Sequence, residues 1–299
     1  MQREPRSTPS TTADPPDLHR APVVVRTARV GEGMEAMTVD EQPAGLVELE
    51  NINDTTDLDD DDMDDITDLD NDVADEEPPT FADFAIHPAI VEALAQVGIV
   101  TPFPIQAMTL PVALAGHDII GQAKTGTGKT LGFGVPIVDK VIPPSDPRFD
   151  QLEHPGRPQA LVVVPTRELA VQVSADLARA GRGRGCRVVT IYGGRAFEPQ
   201  VQALAEGVEV VVGTPGRMLD LSQQGVLRLG SVDTVVLDEA DEMLDLGFLP
   251  DVERLMALTP PTRQMMLFSA TMPGAVVALA RRYMQQPTHI LSLIHISEP

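Results

Sequence analysis

The sequence predicts an α/β protein with a doubly wound, mostly parallel sheet, and two patterns indicate this fold class. Six apolar runs of strand length recur between residues 118 and 268, and most are continuous rather than alternating. Continuous apolar runs are typical of parallel strands that are covered on both faces. Helix-compatible segments separate the runs, which is the order expected of repeated β–α units.

The expected elements follow one another at short intervals. In chain order, strands are expected at residues 118–121, 160–164, 188–191, 208–212, 234–237 and 265–268. Helices are expected at residues 131–141, 168–180, 198–205, 216–221 and 274–284. The proline-rich run 143–158 is typical of a surface loop. Because ligands of such sheets bind at the carboxyl ends of the strands, the residues just after each run are candidate site residues.

A glycine-rich segment lies between the first expected strand and the helix 131–141. After Gln122 it reads Ala123, Lys124, Thr125, Gly126, Thr127, Gly128, Lys129 and Thr130. Backbone N–H groups of such a turn, together with the helix N-terminus, bind phosphate. Lys129 is suited to the β- and γ-phosphates and the Thr130 hydroxyl to Mg²⁺. Ala123 stands where the strict pattern has glycine, so this motif alone leaves a plain glycine-rich turn open.

Two carboxylates, Asp238 and Glu239, directly follow the apolar run 234–237. An aspartate there can hold Mg²⁺, directly or through water, opposite Thr130. Glu239 is then placed to orient and deprotonate an attacking water. Acids after a strand are also common helix-start residues, because they suit the helix dipole. Together with the glycine-rich segment upstream, they favour a nucleotide hydrolysis site.

The charge of the chain is concentrated in its N-terminal part. Residues 54–77 contain 14 acidic and no basic residues, and residues 1–80 carry −18 of the net charge of −23. This composition predicts a disordered acidic extension over residues 1–80, which offers a surface for protein partners. Asp68, Asp70 and Asp72 resemble the start of a calcium loop. Val73 stands where that loop needs glycine and Pro79 where it needs glutamate, which favours a solvated linker.

The cysteine content argues against a disulfide-stabilised protein, and the hydropathy argues against a membrane-spanning one. The single cysteine, Cys186, cannot form an intrachain disulfide, which suits a reducing compartment. No apolar stretch approaches the ~18–20 residues of a membrane span, and the N-terminus lacks the apolar core of a signal peptide. A cytoplasmic protein without membrane association is expected.

Residues 238–241 read Asp-Glu-Ala-Asp, and from Phe81 to about Ile290 the chain resembles the DEAD-box RNA helicases. The family's motifs occur in its order. They are the Q motif at 98–106, motif I at 123–130, motif Ia at 165–170, the doublet Gly193-Gly194, motif Ib at 214–217, motif II at 238–241 and motif III at 269–271. Seven motifs in order make a specific match. The resemblance implies a RecA-like P-loop NTPase domain over residues 81–290.

The resemblance implies ATP and Mg²⁺ as cofactors. Gln106 would hydrogen-bond the adenine edge, because an amide offers both donor and acceptor. Phe81 would stack on the adenine, with a core aromatic as the alternative. The implied ATP site thus contains Phe81, Gln106, residues 123–130, Asp238 and Glu239, and the implied catalytic set is Lys129, Asp238, Glu239, Ser269 and Thr271. The last two would link the nucleotide state to domain closure.

The resemblance also implies an RNA site. Its residues are Pro165, Thr166, Arg167, Gly193, Gly194, Thr214, Pro215, Gly216 and Arg217. Contacts of this kind reach the sugar-phosphate backbone, so weak sequence preference is expected. For Arg167 a salt bridge with a neighbouring carboxylate is the alternative.

The last residues of the chain differ from the family. Residues 291–299 resemble the translation of a transposase sequencing adapter, which indicates read-through; a natural strand is the alternative. The resemblance implies an ATP-dependent RNA helicase of which this chain holds the first of two RecA-like domains. A non-catalytic one-domain ATP- and RNA-binding module is the other interpretation. A source gene whose frame continues past Ile290 favours the helicase, and a stop after residue 299 favours the module.

Overall fold

The computed structural model describes residues 78–124 and 126–291 of the chain. The expected acidic extension, apart from residues 78–80, lies outside the described residues. So do the Asp68–Asp72 segment, Thr125 and residues 292–299.

Seven strands of the described ranges form one sheet in which every pairing is parallel. They are β1 (Ile119–Gln122), β2 (Ala160–Val163), β3 (Val188–Ile191), β4 (Val210–Gly213), β5 (Thr234–Leu237), β6 (Gln264–Ser269) and β7 (Thr288–Leu291). Their order across the sheet is β3-β4-β2-β5-β6-β1-β7. All six expected strands are present within two residues of their expected limits.

Helices connect the strands and cover both faces of the sheet. The α-helices are α1 (Pro88–Ala95), α2 (Pro104–Leu114), α3 (Thr130–Lys140), α4 (Arg167–Gly181), α5 (Glu198–Glu206), α6 (Pro215–Gln223), α7 (Ala240–Asp245), α8 (Leu249–Ala257) and α9 (Gly274–Tyr283). Short 3₁₀ helices occupy Phe81–Asp83, Phe149–Gln151 and Arg182–Arg184. The predicted doubly wound α/β fold is confirmed.

Two hydrophobic cores lie on opposite faces of this sheet. Val162 of β2 packs into the core beneath α1–α4, whereas its neighbours Leu161 and Val163 pack into the core beneath α6–α9. All three side chains are fully buried. Each buried side chain of this size contributes about 1.5–3 kcal/mol. Burial on both faces explains why the strand sequences are continuously apolar.

Strand β7 was not among the six expected strands, and it lies mostly before residues 291–299, where the sequence offered a strand only as an alternative. It pairs with β1 at the edge of the described sheet, and only Ile290 of its four residues is buried. An edge strand of this kind lacks the continuous apolar run that marks the inner strands. Leu291, which the sequence assigned to the adapter-like tail, is its last residue and pairs with Gln122.

Gly213, at the end of β4, should be essential for the packing of β3 against β4. A Cβ atom there would overlap the carbonyl oxygen of Ile191 and lie 2.7 Å from its carbonyl carbon. Gly213→Ala should therefore lower the free energy of unfolding by about 2–3 kcal/mol, measured by urea denaturation.

Gly274→Ala is the matched control, because a Cβ atom at this helical position meets nothing within 4 Å. It should leave the free energy of unfolding within about 0.5 kcal/mol of the parent value. Equal stabilities for the two variants would contradict the close approach at Gly213.

Candidate active site

Three neighbouring strands carry the candidate catalytic residues at their carboxyl ends. β6 pairs with β5 on one side and with β1 on the other, all in parallel. The glycine-rich segment follows β1, Asp238 and Glu239 follow β5, and Thr271 follows β6. Because parallel strands end at the same edge of a sheet, segments distant in sequence meet there.

The glycine-rich segment forms a turn that leads into α3. The Ala123 N–H donates to the carbonyl oxygen of Ser269 (3.1 Å), which anchors the turn to β6. Gly126 and Gly128 have φ values of 86° and 76°, a region that glycine adopts without steric cost. Thr127 Oγ1 donates to the carbonyl of Lys124 (2.9 Å). The described part of the segment is thus a turn that leads into α3, and its binding of phosphate stays a prediction.

Lys129 joins this turn to the acids after β5. Its Nζ lies 3.1 Å from Asp238 Oδ1 and 3.8 Å from Glu239 Oε1. The Lys129 and Asp238 side chains are almost completely buried, with 6% and 1% of their surfaces exposed. Ionic groups with so little access to water interact strongly, and loss of one partner leaves the other charge uncompensated.

Asp238 carries a perturbed carboxyl group. Burial raises its pKa to about 6, although the neighbouring Lys129 ammonium acts in the opposite direction. Its Oδ2 atom is buried and has no hydrogen-bond partner among the described residues. A buried carboxylate oxygen without a partner suits a hard cation, and Thr130 adds a hydroxyl oxygen at the start of α3. The residues present therefore fit Mg²⁺.

Glu239 has an unusual backbone conformation. Its φ of 56° and ψ of 53° lie in the left-handed region, which non-glycine residues seldom adopt. Its N–H donates to Asp238 Oδ1 (3.0 Å). A hydrogen bond with Glu239 raises the pKa of Glu242. Such strained conformations cluster at functional sites, where the surrounding structure holds them in place.

Motifs II and III are joined through Asp241. Its N–H donates to Ser269 Oγ (3.1 Å), and its carboxylate accepts from both the N–H and the hydroxyl of Thr271 (2.8 Å each). Burial acts to raise the pKa of Asp241, but these hydrogen bonds outweigh it and lower the pKa. Ser269 and Thr271 thus contact motif II as expected. Asp241, which accepts the bonds from Thr271, was not among the expected site residues. Its position as the last residue of motif II is the signal that could have identified it.

The side chains of Gln106 and Phe81 both contact other parts of the protein in this structure. The Gln106 amide accepts from the Phe103 N–H (3.0 Å) and donates to the Gly128 carbonyl (2.5 Å). Both polar ends are thus bound to the protein, and recognition of adenine stays a prediction. The Phe81 side chain is 1% exposed and lies in the core beneath α1–α4. This burial agrees with the core-aromatic alternative, and stacking of Phe81 on adenine stays a prediction.

The expected RNA-binding residues lie at the same edge of the sheet, beyond the three strands of the catalytic groups. β3, β4 and β2 are neighbours, and each is followed by one of these motifs. Thr166 caps α4 by accepting from the Leu169 N–H (3.2 Å), and Pro215 is the first residue of α6. Pro165 and Pro215 are buried, whereas Gly193, Thr214 and Gly216 are half-buried.

Two arginines supply positive charge at these strand ends. Arg167 Nη1 lies over Gly194, 3.1 Å from the position of a Cβ atom there. The guanidinium of Arg217 lies 5.4 Å from the ring centre of Phe197. Arg167 also approaches the exposed Glu168 carboxylate at 3.8 Å, the neighbouring-carboxylate alternative. An exposed pair of this kind is worth little, so the Arg167 guanidinium stays available to an anion.

No helix within residues 78–124 and 126–291 is long and apolar enough to cross a membrane.

The raised pKa of Asp238 makes the stability of the protein depend on pH. The carboxyl ionises near pH 4 in the unfolded state and near pH 6 in the folded state. In this interval the unfolded state binds fewer protons, so the free energy of unfolding falls as pH rises. Asp238→Asn lacks this titration. The free energy of unfolding of the variant minus that of the parent should therefore rise by about 2–3 kcal/mol between pH 4 and pH 7, whatever its value at pH 4. Urea denaturation at several pH values measures the difference, and parallel curves would contradict it.

Comparison with known proteins identifies relatives of the chain. A family model described as DEAD/DEAH box helicase matches residues 103–279. The DEAD-box ATP-dependent RNA helicase CshA of Bacillus licheniformis is 46% identical over 211 residues, which cover 71% of this chain and 41% of that protein. CshA of Geobacillus kaustophilus is 47% identical over 208 residues, covering 70% and 42%. The chain thus spans less than half the length of these relatives.

Solved structures share the fold. A DEAD box protein from the hyperthermophile Methanococcus jannaschii superposes with a TM-score of 0.66 at 36% identity, covering 72% of this chain and 56% of that one. A hypothetical ATP-dependent RNA helicase from Sulfolobus tokodaii gives a TM-score of 0.61 at 32% identity, covering 69% and 57%. These similarities confirm the RecA-like fold. With its motifs at the strand ends and a family match over more than half of its length, the chain belongs to the DEAD/DEAH box helicase family.

Proposed function

We propose that this chain is the ATP-binding domain of an ATP-dependent RNA helicase. RNA would stimulate its ATP hydrolysis, which would drive local opening of RNA duplexes or remodelling of RNA–protein complexes. The observation that carries the proposal is the buried contact of Lys129 with Asp238 and Glu239 at the glycine-rich turn. In a member of this family, that contact supports the proposal that Lys129 would bind phosphate beside the acids that would act in hydrolysis.

The ATP site would use the groups at the ends of β1 and β5. The N–H groups of the glycine-rich turn and the Lys129 ammonium would bind the phosphates, while Thr130 and Asp238 would hold Mg²⁺. The metal ion would neutralise charge on the phosphate oxygens. Glu239 would orient a water for attack on the γ-phosphorus and accept its proton as the bond to the ADP oxygen breaks. Its strained backbone supports this role, because it restricts the directions that the carboxylate can take.

Asp241 would link the hydrolysis site to the rest of the protein. Its bonds to Ser269 and Thr271 join the residues after β5 to those after β6. Glu239 lies two residues before Asp241 in the chain, so a change at Glu239 would reach the loop after β6 through this short stretch of backbone and the hydrogen bonds of Asp241. This loop is where the state of the nucleotide would be transmitted to a second domain.

The RNA site would bind backbone phosphates rather than bases. Arg167 and Arg217 carry the charge, and the N–H groups near Gly194 and Gly216 can approach phosphate closely because glycine has no side chain. Contacts of this kind give weak sequence preference, and the 2′-hydroxyl distinguishes RNA from DNA.

A second RecA-like domain would be the partner of this site. The chain covers about 41–42% of its CshA relatives, and the family resemblance assigns arginines of a second domain to the transition-state charge. The acidic extension is the proposed surface for protein partners. The single cysteine supports a cytoplasmic location, because a reducing compartment keeps thiols free.

Substitutions at the ATP site should separate nucleotide binding from hydrolysis. Lys129→Ala removes the phosphate-binding cation and should weaken ATP binding by the purified chain at least about tenfold, measured by calorimetry. Glu239→Gln should bind ATP within about threefold of the parent. In the gene product that contains both domains it should hydrolyse ATP at least about a hundredfold more slowly.

Lys140→Ala is the control, since Lys140 ends α3 on the side away from the site and pairs with Asp233. It should leave ATP binding unchanged. Residues 1–290 alone should not unwind a duplex efficiently. Robust unwinding by this fragment, or full ATP affinity in the Lys129 variant, would contradict the proposal.

Substitutions of Arg167 and Arg217 should weaken RNA binding without changing its sequence preference. Arg167→Ala and Arg217→Ala should each reduce the slope of log affinity against log salt by about 0.7–1 for single-stranded RNA. Fluorescence anisotropy with several RNA sequences measures this. Arg228→Ala, an exposed arginine after α6, is the control and should have no effect. A loss confined to one RNA sequence would indicate base readout instead.

A further inference from the structure

The structure contains an exposed aromatic ring beside the phosphate-binding turn. Phe103 has 61% of its surface exposed, the highest value among the large hydrophobic residues of the described ranges. Isolated exposed apolar residues are common and need no explanation, so its position is what matters. A Cβ atom on Gly128 would lie 2.5 Å from Phe103 Cδ2 and 3.0 Å from Cε2, which places the ring directly against the turn.

Phe103 also contacts the group expected to recognise adenine. Its N–H donates to Gln106 Oε1 (3.0 Å), and Gln106 Nε2 donates to the Gly128 carbonyl (2.5 Å). The ring, the amide and the turn therefore form one continuous cluster. A nucleotide with its phosphates in the turn and its base edge at Gln106 would bring the face of its base towards Phe103.

The backbone holds Phe103 in one conformation. It stands between Pro102 and Pro104, with φ −64° and ψ 156°, and it caps α2. A residue before proline is restricted to extended conformations, and proline is favoured as the first helical residue. Little backbone freedom is therefore lost when a ligand contacts the ring, which favours binding.

Phe81, the other aromatic considered for the base, cannot serve in this conformation, since its ring is buried in the core. We propose that Phe103 supplies the aromatic face on which the nucleobase of the bound nucleotide stacks. This inference rests on the proposed nucleotide-binding function. Stacking requires only a π face, so Phe103 would contribute affinity for any base, while Gln106 would select adenine.

The test compares ligands with and without a base on the purified chain. Phe103→Leu keeps an apolar side chain but removes the π face. It should weaken binding of ADP and of GDP by about tenfold each, while tripolyphosphate binding stays within about twofold. Phe103→Tyr should retain ADP affinity within about twofold. Val97→Ala, at a second exposed apolar residue (51% exposed), is the matched control and should change neither ligand.

A spectroscopic reading is independent of affinity. The chain contains no tryptophan, so Phe103→Trp introduces a single indole fluorophore. Its emission should be quenched by ADP and not by tripolyphosphate, because only the base can stack on the indole.

The outcomes separate this inference from the proposed function. If Lys129→Ala abolishes ADP and tripolyphosphate binding while Phe103→Leu binds ADP as tightly as the parent, or more tightly, the assignment of Phe103 is wrong and the function stands. Indole emission that stays unquenched while the Phe103→Trp variant binds ADP also overturns the assignment. If the parent chain binds neither ligand, both the function and the inference fail.

Discussion

The parallel pairing of β5, β6 and β1 is the constraint on which the site depends. Leu237 is level with Leu267 in one pairing and Gln122 with Ser269 in the other. This register brings the start of the glycine-rich turn, Asp238 and Ser269 to one edge of the sheet. No local sequence preference could do so, since the turn lies more than a hundred residues from the other two segments. The buried valines and leucines of both faces hold the register, because a slip would reverse the face of every side chain.

Burial strengthens the interaction between the charged groups of the site, and it also makes each charge unfavourable when it has no partner. Lys129 and Asp238 have almost no contact with water, so each requires the other or an equivalent partner. In this structure the Lys129 ammonium and the Asp238 carboxylate are each other's partner. A phosphate would compete with Asp238 for the Lys129 ammonium. A cation such as Mg²⁺ would then pair with the Asp238 carboxylate in place of the ammonium. Nucleotide and Mg²⁺ should therefore favour one another's binding, for electrostatic reasons alone.

Much of the fold and of the site could be predicted from the sequence, because both depend on short-range patterns. Continuous apolar runs predicted six of the seven described strands, β1 to β6, and the residues after them predicted Lys129, Asp238 and Glu239 as site residues. β7 could not be predicted in this way, since a strand with one buried residue lacks the pattern. The burial of Phe81 and the exposure of Phe103 were equally inaccessible, because both are aromatic residues near one motif. Only the packing of α1–α4 decides which ring is covered.

Ser269 occupies a junction that distinguishes it from the other polar residues of the site. It is fully buried, its carbonyl holds the Ala123 N–H, and its hydroxyl holds the Asp241 N–H. Thr271, by contrast, is exposed and contacts Asp241 alone among these groups. In a genetic screen, alleles of the two positions would fall into different classes. Changes at Ser269 would impair several steps of the cycle together. Changes at Thr271 would impair only the communication between the loops after β5 and β6.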